Sequence, residues 1–357
     1  MSPNATGPFS KQEIQMAIPE KVLITGGREV GGLMAFAAGL SEGLTALGIP
    51  SEVVSPGRIF KRLRDLRDPS VLKILSTTGV FAALFGRRVI CVAHGFPRAD
   101  AQGWAKLLAI IASLKLINRC SGARLVAVSH YAAIHLRTIF NLRVDAVIHN
   151  PLKPLFLETF DNSAQMRNYV TYVGRLHPAK NLHRLMPVIR DLLAETPGLR
   201  ACFIGDGDQR AALQNAVNGD PGFEFKGSLD SAGVRDWLRR TRVFFSGCET
   251  EALGISYVEA LSQGCAVVMP ACGGGLEIAL DQIGARVYLL PLSFNREQVT
   301  AVLRRALSST QTQLSMAAYQ GKAVAEAYLR VDVGFSSVGK TKRAFGDLQE
   351  RVTRARS

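Results

Sequence analysis

Two glutamates, Glu251 and Glu259, stand with seven residues between them in the stretch Glu251-Ala252-Leu253-Gly254-Ile255-Ser256-Tyr257-Val258-Glu259. The apolar run Val243 to Ser246 precedes them, and helical spacing begins near Gly254. A helix starting there offers unpaired backbone N–H groups that suit a phosphate. One carboxylate can then accept hydrogen bonds from sugar hydroxyls and the other from a ribose. Upstream, Gly174-Arg175-Leu176-His177-Pro178-Ala179-Lys180-Asn181 delivers an arginine and, five residues later, a lysine. Two cations after a strand suit a diphosphate; a solvated loop is the alternative. A third cluster, Gly26-Gly27-Arg28-Glu29-Val30-Gly31-Gly32, lies between an apolar run and a helical stretch. Glycines there allow close backbone approach to an anion. A nicotinamide-binding T-G-x-x-x-G turn would need glycine where Val30 stands, and the chain has no Tyr-x-x-x-Lys pair.

These clusters need strands to deliver them. Lys21–Thr25, Ser51–Ser55, Val89–Ala93, Arg124–Ser129 and Val144–Ile148 read as β-type runs separated by helical stretches, with a helix from Gly31 to Leu47. A second series follows at Tyr169–Val173, Arg200–Ile204, Val243–Ser246, Ala266–Met269 and Arg286–Leu290. Such alternation predicts βαβ units and parallel sheets. Most glycine and charge clusters fall just after strands, where ligands of open α/β sheets bind. The turn-prone segment from Asn150-Pro151 to Arg167 marks a boundary. The domains expected are 1–150, 151–334 and a basic helical tail, 335–357.

The 357 residues are enough for two cored domains. With 47% hydrophobic and 20% charged residues the chain is globular, and dominant disorder, collagen-like and coiled-coil classes are excluded. The formal charge of +14 is uneven: residues 1–150 carry +9, 151–334 carry +1 and 335–357 carry +4. The excess favours anionic partners. Six cysteines without a C-x-x-C pair read as buried thiols in a reducing compartment. No secretory signal or membrane-spanning run is visible, which leads to the expectation of a cytoplasmic protein. No catalytic-metal spacing is seen, and Asp206-Gly207-Asp208 reads as a turn rather than a metal motif.

The ordered motifs resemble those of the retaining glycosyltransferases of family 4. Gly31-Gly32, Gly174-Arg175-Leu176 with Lys180, Gly205-Asp206-Gly207, Glu251-x-x-Gly254 with Glu259-Ala260, and Gly273-Gly274-Gly275-Leu276-Glu277 carry the resemblance across nearly the whole chain. It implies the α/β GT-B fold: two Rossmann-like domains facing a central cleft, the first taking the acceptor, the second the donor, and a C-terminal helix returning to the first. Gly31 and Gly32 would belong to the donor site. Arg175 and Lys180, beside Gly174, would bind the donor diphosphate and stabilise the departing nucleotide. Glu251 would contact the donor sugar, the backbone of Leu253-Gly254-Ile255 would cradle sugar and phosphate, and Glu259 would hold the ribose. His94 resembles the histidine that faces the donor sugar, with a structural role as the alternative. Retention would proceed by a front-face route, with no cofactor and no metal. Leu253 replaces the family's usual phenylalanine, and Asn150-Pro151 replaces Asn-Gly; both bear on sugar identity rather than fold.

The implied reaction moves a hexose from a UDP- or GDP-sugar to a lipid-linked or membrane-proximal glycan, in bacterial cell-surface polysaccharide or lipopolysaccharide synthesis. The competing readings are a nucleotide-sugar epimerase of the same fold and a non-catalytic basic module binding membrane or nucleic acid. Basic runs without interleaved aromatics, and the absence of a nucleic-acid module, argue against nucleic acid. Arg58, Lys61, Arg62, Arg64 and Arg67 surround Ile59, Phe60, Leu63 and Leu66 at helical spacing. This amphipathic stretch is expected either to lie on the anionic inner face of the cytoplasmic membrane or to pack on the sheet.

Overall fold

The computed structural model describes residues 18–26, 32–95, 103–120, 122–158, 167–281, 286–309 and 316–332. In chain order the first elements are β1 (Lys21–Thr25), α1 (Gly32–Ala46), β2 (Ser51–Val54), α2 (Leu63–Arg67), β3 (Val71–Ser76), β4 (Val89–Ala93), α3 (Trp104–Cys120), β5 (Arg124–Ala127), α4 (His130–Thr138) and β6 (Ala146–Val147). There follow β7 (Tyr169–Val173), α5 (Leu182–Glu195), β8 (Arg200–Ile204), α6 (Arg210–Val217), β9 (Phe223–Gly227), α7 (Ser231–Arg240), β10 (Thr241–Phe245), α8 (Ile255–Ser262), β11 (Ala266–Pro270), α9 (Gly274–Asp281), β12 (Val287–Leu290), α10 (Arg296–Leu307) and α11 (Gly321–Asp332).

The chain forms two compact units. Of the described residues, one comprises those up to Val128, Ala133–Pro151 and Gly321–Asp332; the other comprises Ser129–Ala132 and those from Leu152 to Gln320. The first is built on the all-parallel sheet β2-β1-β3-β4-β5-β6. β1, β3 and β4 are almost wholly buried, as strands covered on both faces must be. The order reverses between β1 and β3, where Thr25 Oγ1 donates to Ser76 Oγ at 3.0 Å. The second unit holds the parallel sheet β12-β11-β10-β7-β8-β9, reversing between β7 and β10. Its core packs α5 and α10 against the strands through Leu185, Ile189, Leu192, Val299 and Leu303, around Tyr172, Phe203 and Phe245.

Several sequence expectations are corrected. The helix at 321–332, assigned with 151–334, belongs to the first unit. There α11 packs on α1 so closely that a Cβ on Gly43 would lie 2.0 Å from the Gly321 carbonyl oxygen. Arg88 binds Asp332 through Nε and Nη2, at 2.8 and 2.6 Å. The tail 335–357 lies outside the described residues. β3 and β9 had no counterpart in the sequence reading. The basic stretch is two short pieces, a 3-10 turn at Pro56–Lys61 and α2. Ile59 and Leu66 are buried, while Phe60 and Leu63 are exposed, so the single apolar face expected of one helix is split.

Candidate functional site

The residues with donor-binding spacing converge at one place in the second unit, the carboxyl ends of β7 and β10. In an open parallel sheet the crevice forms where strand order reverses, because successive connections there leave on opposite faces. The loop after β7 carries Gly174, Arg175 and Lys180, and the loop after β10 carries Glu251 and Gly254. The side chains meet: Lys180 Nζ lies 2.5 Å from Glu251 Oε2, each about a quarter exposed. The Asn181 amide donates to the Gly247 carbonyl at 2.9 Å and binds one loop to the other. Burial alone would lower the Lys180 ammonium, but Glu251, with Cys248, more than reverses this and holds it above its ordinary value. The lysine is therefore charged at neutral pH and ready for an anion.

Arg175 projects into solvent, 68% exposed, with Asp208 at 3.7 Å. Its backbone is fixed from below, since the buried Tyr172 hydroxyl donates to the Arg175 carbonyl at 2.9 Å. Gly174, Gly205 and Gly207 form the floor of this region. A Cβ on Gly205 would stand 2.0 Å from the Gly174 carbonyl oxygen, and one on Gly207 would stand 2.4 Å from that of Leu176. Asp206 accepts from the Gly207 amide at 2.8 Å and pairs with Arg210 at 3.1 Å. The Asp-Gly-Asp sequence is thus a turn with its carboxylates engaged by Arg210 and Arg175. Among the described residues no three His, Cys, Asp or Glu side chains gather as metal ligands would.

The Glu251–Gly254 loop lies on a glycine bed. Gly274 N donates to Glu251 O at 3.0 Å, and a Cβ on Gly273 or Gly274 would come within 2.4 Å of the Glu251 or Ala252 carbonyl oxygen. Gly254, at φ +79°, precedes α8 and admits no side chain beside the Tyr257 ring, 2.5 Å away. Tyr257 is buried, and its hydroxyl donates to Ser246 Oγ at 3.1 Å. Leu253 is buried as well, so its contribution to a ligand is its backbone. Ile255 opens α8, whose first amides have no partner within the helix. Glu259 lies on the same helix, partly exposed, its carboxylate without a hydrogen bond or ion pair among the described residues. Burial pushes its carboxyl up to about 7, Lys153 opposing weakly. Glu277 accepts from the amides of His130 and Tyr131, at 2.8 and 2.7 Å.

In the first unit, Gly31 lies outside the described residues and Gly32 opens α1. His94 follows β4 with its ring edge-on to Phe36, centroids 4.6 Å apart. Burial pushes it down to about 4, with the Asn150 side chain opposing, so it is neutral at physiological pH. Its Nε2 is buried without a hydrogen-bond partner. Sequence reading did not find Tyr172, Ser246 or Tyr257, which set the height of the two loops. Only their position at strand ends, or in the helix between the two glutamates, could have pointed to them.

Residues 158–323 match the family described as "Glycosyl transferases group 1". The chain is similar to the sulfoquinovosyl transferase of Arabidopsis thaliana, 29% identical over 194 residues, which are 54% of this chain and 37% of that protein. The curated relatives are matched over only 26% to 43% of their own length. Among solved structures it resembles HepE of Anabaena in complex with UDP and glucose, at TM-score 0.64 and 16% identity, covering 88% of this chain and 97% of that one. It also resembles WaaG, a glycosyltransferase involved in lipopolysaccharide biosynthesis, at TM-score 0.64 and 14% identity, covering 88% and 100%. The stretch 158–323 is similar to a glycosyl transferases group 1 domain, and the fold is that of the GT-B glycosyltransferases.

Proposed function

We propose that the protein is a retaining glycosyltransferase of family 4 that moves a hexose from a UDP- or GDP-sugar to a lipid-linked or membrane-proximal glycan. The observation that carries this is the pairing of Lys180 with Glu251 where the second sheet reverses, between the loop that also carries Arg175 and the loop that leads into α8. Arg175 and Lys180 bind the donor diphosphate and no metal is needed. As the bond to the anomeric carbon breaks, negative charge grows on the β-phosphate. Cations already in place stabilise that charge without reorganising. Glu251 orients both the ammonium and the donor hydroxyls. The Leu253-Gly254-Ile255 backbone cradles the sugar and phosphate, and Glu259 accepts from the ribose hydroxyls. The leaving phosphate takes the acceptor proton as the new bond forms on the same face. In the first unit the neutral His94 offers Nε2 to a sugar hydroxyl.

The lipid-linked acceptor is supported by the +9 charge of residues 1–150 and by the exposed Arg58, Lys61, Arg64 and Arg67 beside Phe60 and Leu63. Arg62 is partly buried, held by Glu52 and Asp65. No helix among the described residues is long and apolar enough to cross a membrane. We place the protein in the cytoplasm, peripheral on the inner face of the membrane, in bacterial surface-polysaccharide or lipopolysaccharide synthesis; nucleic acid is not a partner. The test is a thermal-shift screen against UDP- and GDP-sugars. A donor that binds only the folded state raises the midpoint, by about 2.7 kcal/mol of stabilisation at a hundredfold excess over Kd. A flat response to every nucleotide sugar overturns the reading.

A further inference from the structure

A cavity of about 480 Å³ opens in the first unit between the carboxyl end of β2 and the Pro56–Lys61 turn. That is a size that holds a small ligand, at the carboxyl end of the sheet's edge strand. Its charged lining is Glu52, Arg58, Lys61 and Arg62. Glu52 does not set its sign. Lys21 at 2.6 Å and the Arg62 guanidinium hold that carboxylate, and their hydrogen bonds keep it below its ordinary value. Arg62 is shared with Asp65 at 3.5 Å. Arg58 and Lys61 remain, exposed and without an ion-pair partner among the described residues. Two uncompensated cations on one concave wall favour an anion, and a dianion more than a monoanion. Around the cavity, Phe60 is 43%, Leu63 51% and Val53 36% exposed. Val53 and Val54 line the hollow together with the cations, and Phe60 and Leu63 stand next to Lys61 and Arg62 in the chain.

We propose that this cavity is a phosphate subsite of the first unit, in which Arg58 and Lys61 bind the phosphate monoester of the acceptor. The identification of the ligand as an acceptor rests on the glycosyl-transfer reading; the phosphate site does not. The phosphate could be carried by a lipid, its tail against Phe60 and Leu63, or by a water-soluble phosphorylated sugar. The class of reaction that supplies such an acceptor is phosphoryl transfer to a lipid or sugar hydroxyl.

The test titrates the full chain by calorimetry with two phosphate monoesters, glycerol 3-phosphate and dihexanoyl phosphatidate below its micelle concentration. Saturable one-to-one binding is expected. Arg58→Gln/Lys61→Gln should weaken it by roughly a hundredfold, about tenfold for each charged contact. Arg87→Gln/Lys115→Gln removes the same charge from exposed positions of the first unit outside the cavity and should leave binding within about twofold at moderate ionic strength. Binding of neither probe, or equal losses in the two double variants, overturns the proposal. If phosphatidate binds more tightly and Phe60→Ser/Leu63→Ser abolishes the difference, the subsite serves a lipid. Equal affinity of the two probes in the unmodified chain assigns it to a soluble phosphorylated acceptor. A nucleotide-sugar titration in the same samples separates the failures. Phosphate binding without donor binding removes the transferase reading and keeps the subsite; donor binding without phosphate binding does the reverse.

Discussion

Glu259 offers the sharpest test of the donor site, because its carboxyl is pushed from 4.5 up to about 7 by burial. Without ligand, the native chain holds this proton over the range in which the unfolded chain has released it. Stability therefore falls as pH rises from about 4.5 through about 7, and is level above. The displacement corresponds to roughly 3 kcal/mol, which partial solvent access reduces to about 2 kcal/mol. Glu259→Gln removes the penalty. At pH 8 it should raise the Tm by about 4–8 °C, and at pH 4 it should leave the Tm unchanged. In the proposed donor site ligand binding should reverse the preference, since ribose hydroxyls would donate to the ionised carboxylate. Below pH 7 a nucleotide sugar must displace the proton, and its affinity should fall about tenfold per unit, or about a hundredfold by pH 5. The diphosphate of a nucleotide sugar is esterified at both ends and does not titrate in this range. Calorimetry at pH 6 in two buffers of different ionisation enthalpy should register close to one proton released, and none in Glu259→Gln. A pH-independent affinity with no proton release would refute both the perturbed carboxyl and its contact with the ribose.

Arg175→Ala and Lys180→Ala should each lower transfer by roughly 2–4 kcal/mol, that is about 30- to 1,000-fold, with the fold intact by circular dichroism; near-normal turnover in both would remove them from the diphosphate site. Lys180→Ala also strands Glu251, so the Glu251→Gln/Lys180→Ala double variant should recover stability over the single one in thermal melts, without recovering turnover. Gly205→Ala places a methyl group 2.0 Å from the Gly174 carbonyl oxygen, and should cost at least 1–3 kcal/mol in urea unfolding along with donor affinity. Reversing Lys61, Arg62 and Arg64 to glutamate should release the protein from anionic vesicles in low-salt co-sedimentation, at about 1 kcal/mol per cation, while donor binding persists; a wild type that ignores such vesicles would point to a soluble acceptor.

The strands missed in the sequence show what a local reading can and cannot recover. β3 reads Val-Leu-Lys-Ile-Leu-Ser, and a lysine in its middle argues against a buried strand. The structure resolves the conflict at long range. Lys73 Nζ donates to the carbonyls of Asp68, Val71 and Arg87 at 2.6–2.8 Å, and burial still pushes it down to about 8. Two of those carbonyls come from turns whose positions no spacing rule reports. β9, Phe223-Glu-Phe-Lys-Gly, is an edge strand with a polar face and resembles a loop in composition. By contrast, the placing of Arg175, Lys180 and Glu251 after β7 and β10 was legible, because both strands read as apolar runs that end just before them. The hydroxyls of Tyr172 and Tyr257 that support them were not, because an aromatic in an apolar run looks the same whether or not its oxygen has work to do. The basic stretch failed for a related reason. Helical periodicity predicts one face, and Pro56 with the short turns around it divides that face in two.

The seating of α11 on α1 bears on how the chain folds as it is made. The first unit takes its strands from the beginning of the sequence and its last described helix from residues 321–332. Between them lies nearly the whole of the second unit, Leu152–Gln320. During synthesis α1 therefore waits for α11 with one flank bare, while the second unit can complete its own core. A ribosome adding about 5–20 residues per second needs roughly ten to forty seconds for that interval. Arg88 is also without Asp332 for that time. The unit that begins first closes last, and a nascent chain stalled before Gly321 would hold a finished second unit beside an unfinished first one.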